Sequence, residues 1–577
     1  VMTERAKKKE KVMVIRDLFA ERFGSEDYRD ERVIDYIYPK RILRSELAEN
    51  AETLLCPDSA QATLESGSAC VLKKDGFVLL DFGFEMQGGI QIVTNIREFE
   101  KDNTARVRVR FGESAMECMA DASPSLRGKK NATNDHAVRD GVYSLGWLGM
   151  TELGNTGFRF VRIDLLDDIL LPIKCIRAKF QYRDLEYLGT FECDDDRLNE
   201  IWKTAAYTVQ LNMQEYVWDG IKRDRLVWIG DMHPETSTIQ YIFGDSECVR
   251  RSLDLIRDNT PLPNVMNGIP AYSLWWLLIH HDRFIHYGDA AYLEEQHGYI
   301  VELLHYFSGF ITEDGGIAVE NCFLDWPSST NPEGQRAGVH ALFSLVCDGC
   351  AEMLDALSDG KEAAFARLCA EQLKKRVYPH NGLKQALALQ VLAGLVNPND
   401  AFDELLGKNG VHGFSTFLGY YILKALGEAD RVDFALDCIR EYWGKMLDLG
   451  ATTFWEDFDI DWAKNCSVLD EILPENTDKK DIHGDFGGYC YKGYRHSLCH
   501  GWASGPAPFL MEYVLGVKPL EAGCKRVLIS PSLGNLKYAE GTVPTPYGQI
   551  KVSHKRGSDN TVKTTYTAPD EIEVILG

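Results

Sequence analysis

Hydrophobic and polar positions alternate along much of residues 33 to 187. In "ARVRVRFGES" (105–114), Val107, Val109 and Phe111 interleave with Arg106, Arg108 and Arg110, the period of two expected of a strand with one wet face. "GFRFVRIDLL" and "IKCIRAKFQYRD" repeat that texture, and Asp75–Gly76 in "KKDGFVLLDFG" supplies a turn that feeds a strand. Short strands divided by Gly, Asp and Asn turns predict an N-terminal β-sandwich region over 1–188.

Near residue 190 the period becomes helical. "DDRLNEIWKTAAYTVQLN" sets Leu198, Ile201, Trp202, Ala205 and Val209 on one face, with Asp194 to Asp196 as cap and first-turn acids. Helical patterns recur at 337–357, 362–377, 383–395, 415–427 and 431–447. Paired helices over 189–515 predict an α/α toroid, because a bundle of that size would need far longer helices. No fixed-period repeat favours a solenoid. The tail, 516–577, returns to strand-turn-strand texture in "CKRVLISPSLG", "PYGQIKVSHKRG" and "TVKTTYTAPDEIEVILG", a small C-terminal β-sandwich. A chain of 577 residues exceeds one ordinary core, in keeping with this three-part layout.

Composition adds mainly through charge. A net charge of −24 repels phosphate backbones, so nucleic acid and anionic membrane are not expected partners, and neutral or cationic ligands are favoured. The 15 cysteines are odd in number and irregularly spaced, which reads as reduced thiols in a cytoplasmic protein rather than a disulfide framework. The amino-terminal "VMTERAKKKEKVMVIRDLFAERFG" is basic, but charges break up its apolar residues before a signal-type stretch forms. Val1 precedes Met2, which leaves a removed leader open. The longest apolar runs fall short of a membrane span.

Candidate chemistry concentrates in three segments. "VWDGIKRDRLVWIGD" (217–231) sets Asp219, Asp224 and Asp231 against Lys222, Arg223 and Arg225, with Trp218 and Trp228 among them. "GATTFWEDFDID" (450–461) places Glu456 and Asp457 after Trp455, and "RHSLCHGWASGPAPF" (495–509) carries His500 and Trp502. Cleaving a glycosidic bond needs a proton donor on one side and a base or nucleophile on the other. Tryptophan offers a flat face to a sugar, while Asp and Arg bind its hydroxyls in forked geometry. The bland alternative for the first segment is a structural ion-pair network.

"DGIKRDRLVWIGD" resembles the signature of bacterial α-L-rhamnosidases, glycoside hydrolase family 78. "TTFWEDFD" resembles the family's second motif, and "SLCHGWASGP" the segment that follows. The likeness runs from about 190 to 555. It implies an (α/α)6-barrel catalytic domain that hydrolyses terminal α-L-rhamnosides with inversion, without cofactor or metal. Carried over by position, Asp219, Arg223 and Asp231 resemble residues that hold rhamnose hydroxyls, and Trp228 the aromatic wall. Glu456 falls on the general base and His500 on a sugar-contacting histidine. Trp326, in "NCFLDWPSST", resembles a pocket tryptophan. Many members read R-D-E-R-x-G-W with the Glu as general acid; here "RDRLVW" is one residue shorter, so Asp224 is the donor by position, and Glu235 is a substitute. The donor's pKa must be raised, and Asp219 and Asp231 are expected to supply negative charge for that. The alternatives are a catalytically altered carbohydrate-binding protein on this scaffold and a glycosidase for another sugar. His280, His281, Asp282 and His286 read as positions of an aromatic-rich helix, Cys347 and Cys350 as packing residues, and no Gly-rich phosphate loop is present.

Overall fold

The structure, a computed structural model, describes residues 30–63, 67–95, 104–120, 139–488 and 493–577. The basic amino-terminal run lies outside the described residues.

Among the described residues seven strands form the N-terminal sheet: β1 (Arg32–Ile37), β2 (Arg41–Glu49), β3 (Cys70–Asn95), β4 (Thr104–Gly112), β5 (Asp140–Gly146), β6 (Leu148–Leu165) and β7 (Leu171–Arg183). Their order is β1-β7-β3-β6-β4-β5, with β2 added on β3. The alternation read at 105–111 is seen in β4, where Val107, Val109 and Phe111 are buried. One strand of 26 residues does the work of two. The stretch Phe77–Asp81 of β3 pairs with β2 on one edge, Gly88–Thr94 pairs with β7, and β6 runs along the other edge of both. The register with β6 breaks between Asp81 and Met86, where Gly83 has a φ of 93°. The bend lets one hydrogen-bonded sheet enclose a core in sandwich-like fashion. A short helix, α1 (Ala115–Met119), follows β4 and is capped by Ser114, whose Oγ accepts from Glu117 N–H.

The helical region opens with α2 (Asp196–Asn212), where the Asp195 carboxylate accepts the N–H groups of Arg197 and Leu198. Its buried face includes Leu198, Ile201, Trp202, Ala205 and Val209. Further helices are α3 (Met232–Ile242), α4 (Glu247–Asp258), α5 (Pro270–Tyr287), α6 (Ala290–Ser308), α7 (Pro332–Ala356), α8 (Gly360–Leu373), α9 (Lys384–Leu392), α10 (Gly419–Glu428) and α11 (Val432–Asp448). The helix expected over 415–427 begins later, at Gly419. Ser415 and Thr416 instead donate their hydroxyls to Asp325 Oδ2 (2.6 Å) and Glu456 O (2.6 Å). By length and composition α7 could cross a bilayer, longer than the apolar runs suggested, but 83% of its apolar window is buried inside the protein. Cys347 and Cys350 are buried on α7, and His280, His281, Asp282 and His286 lie on α5.

The tail forms two small sheets, β14-β10-β9 and β13-β12-β11-β8. They comprise β9 (Val517–Pro519), β10 (Arg526–Ile529), β11 (Tyr538–Thr545), β12 (Gly548–Arg556), β13 (Val562–Thr567) and β14 (Glu573–Leu576). Their outermost member, β8 (Thr190–Cys193), comes from just before α2 and pairs with β11. Sequence texture placed those residues with the helices; in the structure they stitch the start of the helical region to the tail. Val527, Ile529, Ile550 and Val552 join the same hydrophobic core as the helices.

Candidate active site

Asp219 closes the first motif loop twice. Its backbone N–H donates to Leu226 O (3.1 Å), and its Oδ1 accepts Leu226 N–H (2.9 Å). Inside that loop Asp224 and Arg225 both adopt left-handed backbone, with φ of 54° and 53°. Each such non-glycine residue costs about 1–2 kcal/mol. Arg225 N–H donates to Arg223 O (2.7 Å), and its Nη1 donates to Asn155 O (2.5 Å) on β6, which holds the turn. Arg223 is thereby left pointing into the protein, 3% exposed.

The end of the loop is set by close packing. Asn267 accepts Ile229 N–H (3.0 Å) and donates to Val227 O (3.0 Å). Gly230 has the Tyr272 ring where a Cβ would stand, 2.4 Å away, so only glycine lets Tyr272 approach. Tyr272 then donates its hydroxyl to Asp231 Oδ1 (2.7 Å). Asp231 precedes α3 without capping it by its side chain, which frees the carboxyl for the site.

Three segments distant in sequence run side by side here. Gly220 and His500 form a β-bridge, and Gly501 N–H donates to Asp219 O (3.0 Å). His500 N–H donates to Phe454 O (2.9 Å), and Glu456 N–H to Ser497 O (3.0 Å). Ser497 N–H in turn donates to Glu456 Oε2 (3.2 Å), while Trp502 Nε1 donates to Glu456 O (2.9 Å).

The side chains converge accordingly. Arg223 donates through Nη2 to Glu456 Oε2, through Nη1 to Asp224 Oδ2 (2.9 Å) and through Nε to Arg495 O (2.8 Å). His500 Nε2 lies 3.4 Å from Glu456 Oε1, 3.7 Å from Asp231 Oδ2 and 4.0 Å from Asp219 Oδ2. Its ring stacks on Trp502 (4.4 Å between centroids), and Trp502 stacks on Phe417 (5.0 Å). The two candidate sugar-facing tryptophans lie on one aromatic string. Trp228 meets Tyr272 edge-on (6.1 Å), Tyr272 meets Phe323 (6.4 Å), and Phe323 meets Trp326 (5.1 Å).

Electrostatics divides the acids into two kinds. Burial opposes charge on Glu456, but Arg223 and His500 overcome it and hold the carboxyl well below the usual range, hence ionised. Burial pushes Asp219 well up, reinforced by Asp224 and Asp231. Burial also raises Asp231, to about 6, against the pull of His500 and the Tyr272 hydroxyl. Asp457 is pushed up to about 7 by burial, then by Asp325 and Glu456.

Thus Asp219, Arg223, Asp231, Glu456 and His500 meet in one buried cluster, with Asp224 attached through Arg223 at 26% side-chain exposure. Burial pushes the Asp219 carboxyl well up, and the paired neighbour of Asp224 is the Arg223 guanidinium. Glu235 is fully buried on α3 and faces Gly501: a Cβ there would stand 1.6 Å from its Oε1. Among the described residues neither of its oxygens has a hydrogen-bond partner, and burial pushes its pKa well up, so it sits as an enclosed packing residue.

Sequence reasoning gave no role to three contributors. Asp325 accepts Ser415 Oγ and Ser328 N–H, is pushed up by burial, and raises Asp457; its signal was adjacency to Trp326. Asp457 was visible only as the neighbour of Glu456. Tyr272, in a helix that reads as core, carried no signal.

The bacterial alpha-L-rhamnosidase 6 hairpin glycosidase domain model matches residues 186–514, more than half of the chain, and the bacterial alpha-L-rhamnosidase C-terminal domain model matches 516–576. An alpha-L-rhamnosidase of Alteromonas sp. (strain LOR) is 24% identical over 452 residues, covering 70% of this chain and 46% of the relative. One from Formosa agariphila is 21% identical over 515 residues, covering 81% and 52%. The chain therefore spans about half the length of these relatives. The GH78 family rhamnosidase of Bacillus sp. GL1 superposes with a TM-score of 0.70 at 22% identity, over 91% of this chain and 55% of that one. The rhamnosidase from Klebsiella oxytoca with rhamnose bound gives 0.64 at 20% identity, over 84% and 96%. These likenesses show a shared fold, and with the domain matches they lead to one conclusion: the chain belongs to the bacterial α-L-rhamnosidases of glycoside hydrolase family 78.

Proposed function

We propose that the chain removes terminal α-L-rhamnose from glycosides by single displacement with inversion, in a site at one end of an (α/α)6 barrel. The observation that carries the reading is the Arg223–Glu456 pair, which keeps a buried carboxylate ionised beside a second, partly exposed carboxyl. A neutral glycoside also suits a chain of net charge −24.

In this scheme Asp219, Arg223, Asp231 and His500 hold the hydroxyls of the sugar, and Trp228 and Trp326 wall it. Glu456 takes a proton from water as the water oxygen attacks the anomeric carbon. Asp224 delivers a proton to the leaving oxygen as the glycosidic bond breaks. Its Oδ2 is engaged by Arg223, so Oδ1 is the oxygen left to face the leaving group. An inverting pair needs about 6.5–9.5 Å between carboxyls to admit the water.

Proton NMR of p-nitrophenyl α-L-rhamnoside hydrolysis tests the scheme. β-L-rhamnose should appear first, and initial formation of the α-anomer would refute inversion. The ion pair on Asp224 favours one competing reading, a sugar-binding protein without a competent acid. Rhamnose binding with no turnover of any rhamnoside would establish that reading in place of ours.

A further inference from the structure

Next to Arg223 lies a buried cation that the scheme above does not use. Lys222 is 2% exposed, and its ammonium stands 3.2 Å from Glu113 Oε2, 3.1 Å from Glu117 Oε1 and 2.9 Å from His496 O. The two carboxylates pair with its charge, and His496 O accepts one of its protons. His483 Nε2 lies 3.2 Å away and itself reaches His496 O (2.9 Å), while its Nδ1 reaches Ser114 Oγ (2.8 Å). Glu113, Glu117 and His483 gather their donor atoms within 4.8 Å, a spacing that could hold a metal ion, and the lysine's charge is already there. Glu117 is held down at about 2: Arg139 and Lys222 outweigh its burial.

The carboxylates come from a different part of the chain. Glu113 follows β4 and Glu117 lies on α1, both in the N-terminal region, outside the helical region that carries Arg223 and Glu456. Glu113 Oε2 also accepts Leu498 N–H (2.8 Å), one residue after the Ser497 N–H that binds Glu456. One carboxylate thus touches both the segment carrying Arg223 and the segment supporting the base. The backbone repeats the connection. Gly157 N–H donates to Ile221 O (2.8 Å), and Thr156 Oγ1 to Lys222 O (3.1 Å). Arg139 ties these together by donating to Thr156 Oγ1 (2.8 Å) and Glu117 Oε1 (2.9 Å). Ile221 and Cys499 are buried in the hydrophobic core of the N-terminal sheet itself.

We infer that Lys222 is a positioning residue for the reaction: its ammonium, clamped by Glu113 and Glu117, fixes the loop that aims Arg223 at Glu456, making the N-terminal sheet region a working part of the catalytic site. The inference rests on the rhamnosidase reading for its kinetic consequence and on geometry alone for its structural one. A buried charge has few alternative arrangements once paired, so it specifies the loop's register more sharply than an apolar side chain would. Misplacement of a reacting group by about 1 Å can cost about 10²-fold in rate.

The experiment compares wild type with Lys222→Met, of similar length but uncharged, and with Glu113→Gln. Three readouts are taken on the full chain: kcat/KM for p-nitrophenyl α-L-rhamnoside, its pH profile, and amide hydrogen exchange. Lys222→Met should lose about 10²-fold in kcat/KM. The acidic limb of its profile should move to higher pH, because a displaced Arg223 no longer holds Glu456 down. Exchange should quicken in 219–231 and 496–501 but not in α8. A folded Lys222→Met variant with unchanged exchange in those two segments would overturn the inference. If Lys222→Met does not fold, Glu113→Gln decides in the same way. A wild type that cleaves no rhamnoside would refute the proposed function, and the exchange comparison would still judge this one.

Discussion

Arg223 donates to the Glu456 carboxylate across 233 positions of sequence, and both side chains are 3% exposed. The pair settles which acid stays charged in a crowded, buried cluster. Without a cation, burial would push Glu456 up, as it does Asp219 and Asp231.

Glu456→Gln keeps the shape and removes the proposed base. Turnover of p-nitrophenyl α-L-rhamnoside should fall about 10²–10⁴-fold. Rhamnose affinity by titration calorimetry should stay close to wild type. Full activity in this variant would remove Glu456 from the base role.

Arg223→Lys tests the fork. A lysine offers a point charge and cannot donate to Glu456, Asp224 and Arg495 O in one planar arrangement. The sign follows from Glu456, whose pKa is depressed by Arg223 and His500. Weakening one cation raises that pKa, so more of the base is protonated at low pH. The acidic limb of kcat/KM should therefore shift upward; a profile superimposable on wild type would count against the pairing as the cause.

Glu235→Gln should be nearly silent. Burial pushes the carboxyl's pKa well up and it has no hydrogen-bond partner among the described residues, so an amide of the same shape breaks no bond there. kcat should stay within roughly twofold of wild type. A loss of about 10²-fold would return Glu235 to the role of proton donor.

Asp457 gives a stability test with a definite sign. Its folded pKa, about 7, exceeds the unfolded value of about 3.9, so the folded state binds more protons between them. Stability from this group is full below about pH 4, falls as pH rises toward 7, and is lost above that. Asp457→Asn removes the penalty, on the order of 2–4 kcal/mol at pH 8. Thermal melts should show the variant gaining on wild type as pH rises from 4 to 8. A gap that does not widen would contradict the shift.

Hydrophobic periodicity was sufficient to tell strand-rich from helix-rich stretches, since a strand face and a helix face are local properties of side-chain spacing. The cap at Asp195 and the buried face of α2 could be read directly. The mixture of acids, cations and indoles in 217–231 singled that loop out, and folding brings its Asp219, Arg223 and Asp231 into one buried cluster. Other features depended on residues far away. Helix α10 starts late because Ser415 and Thr416 bond to Asp325 and Glu456, and β8 left the helical region for a partner in β11.

Protonation was the deepest divide. Asp219, Asp224, Asp231, Glu235, Glu456 and Asp457 look alike in a sequence, and what separates them is burial and the charge brought beside each by folding. Arg223 reached Glu456, the Gly501 backbone closed over Glu235, and Glu113 arrived from the N-terminal sheet to hold Lys222. Residue types named the possible chemistry, but local dielectric and the meeting of distant charges assigned the roles, and both exist only in the folded chain.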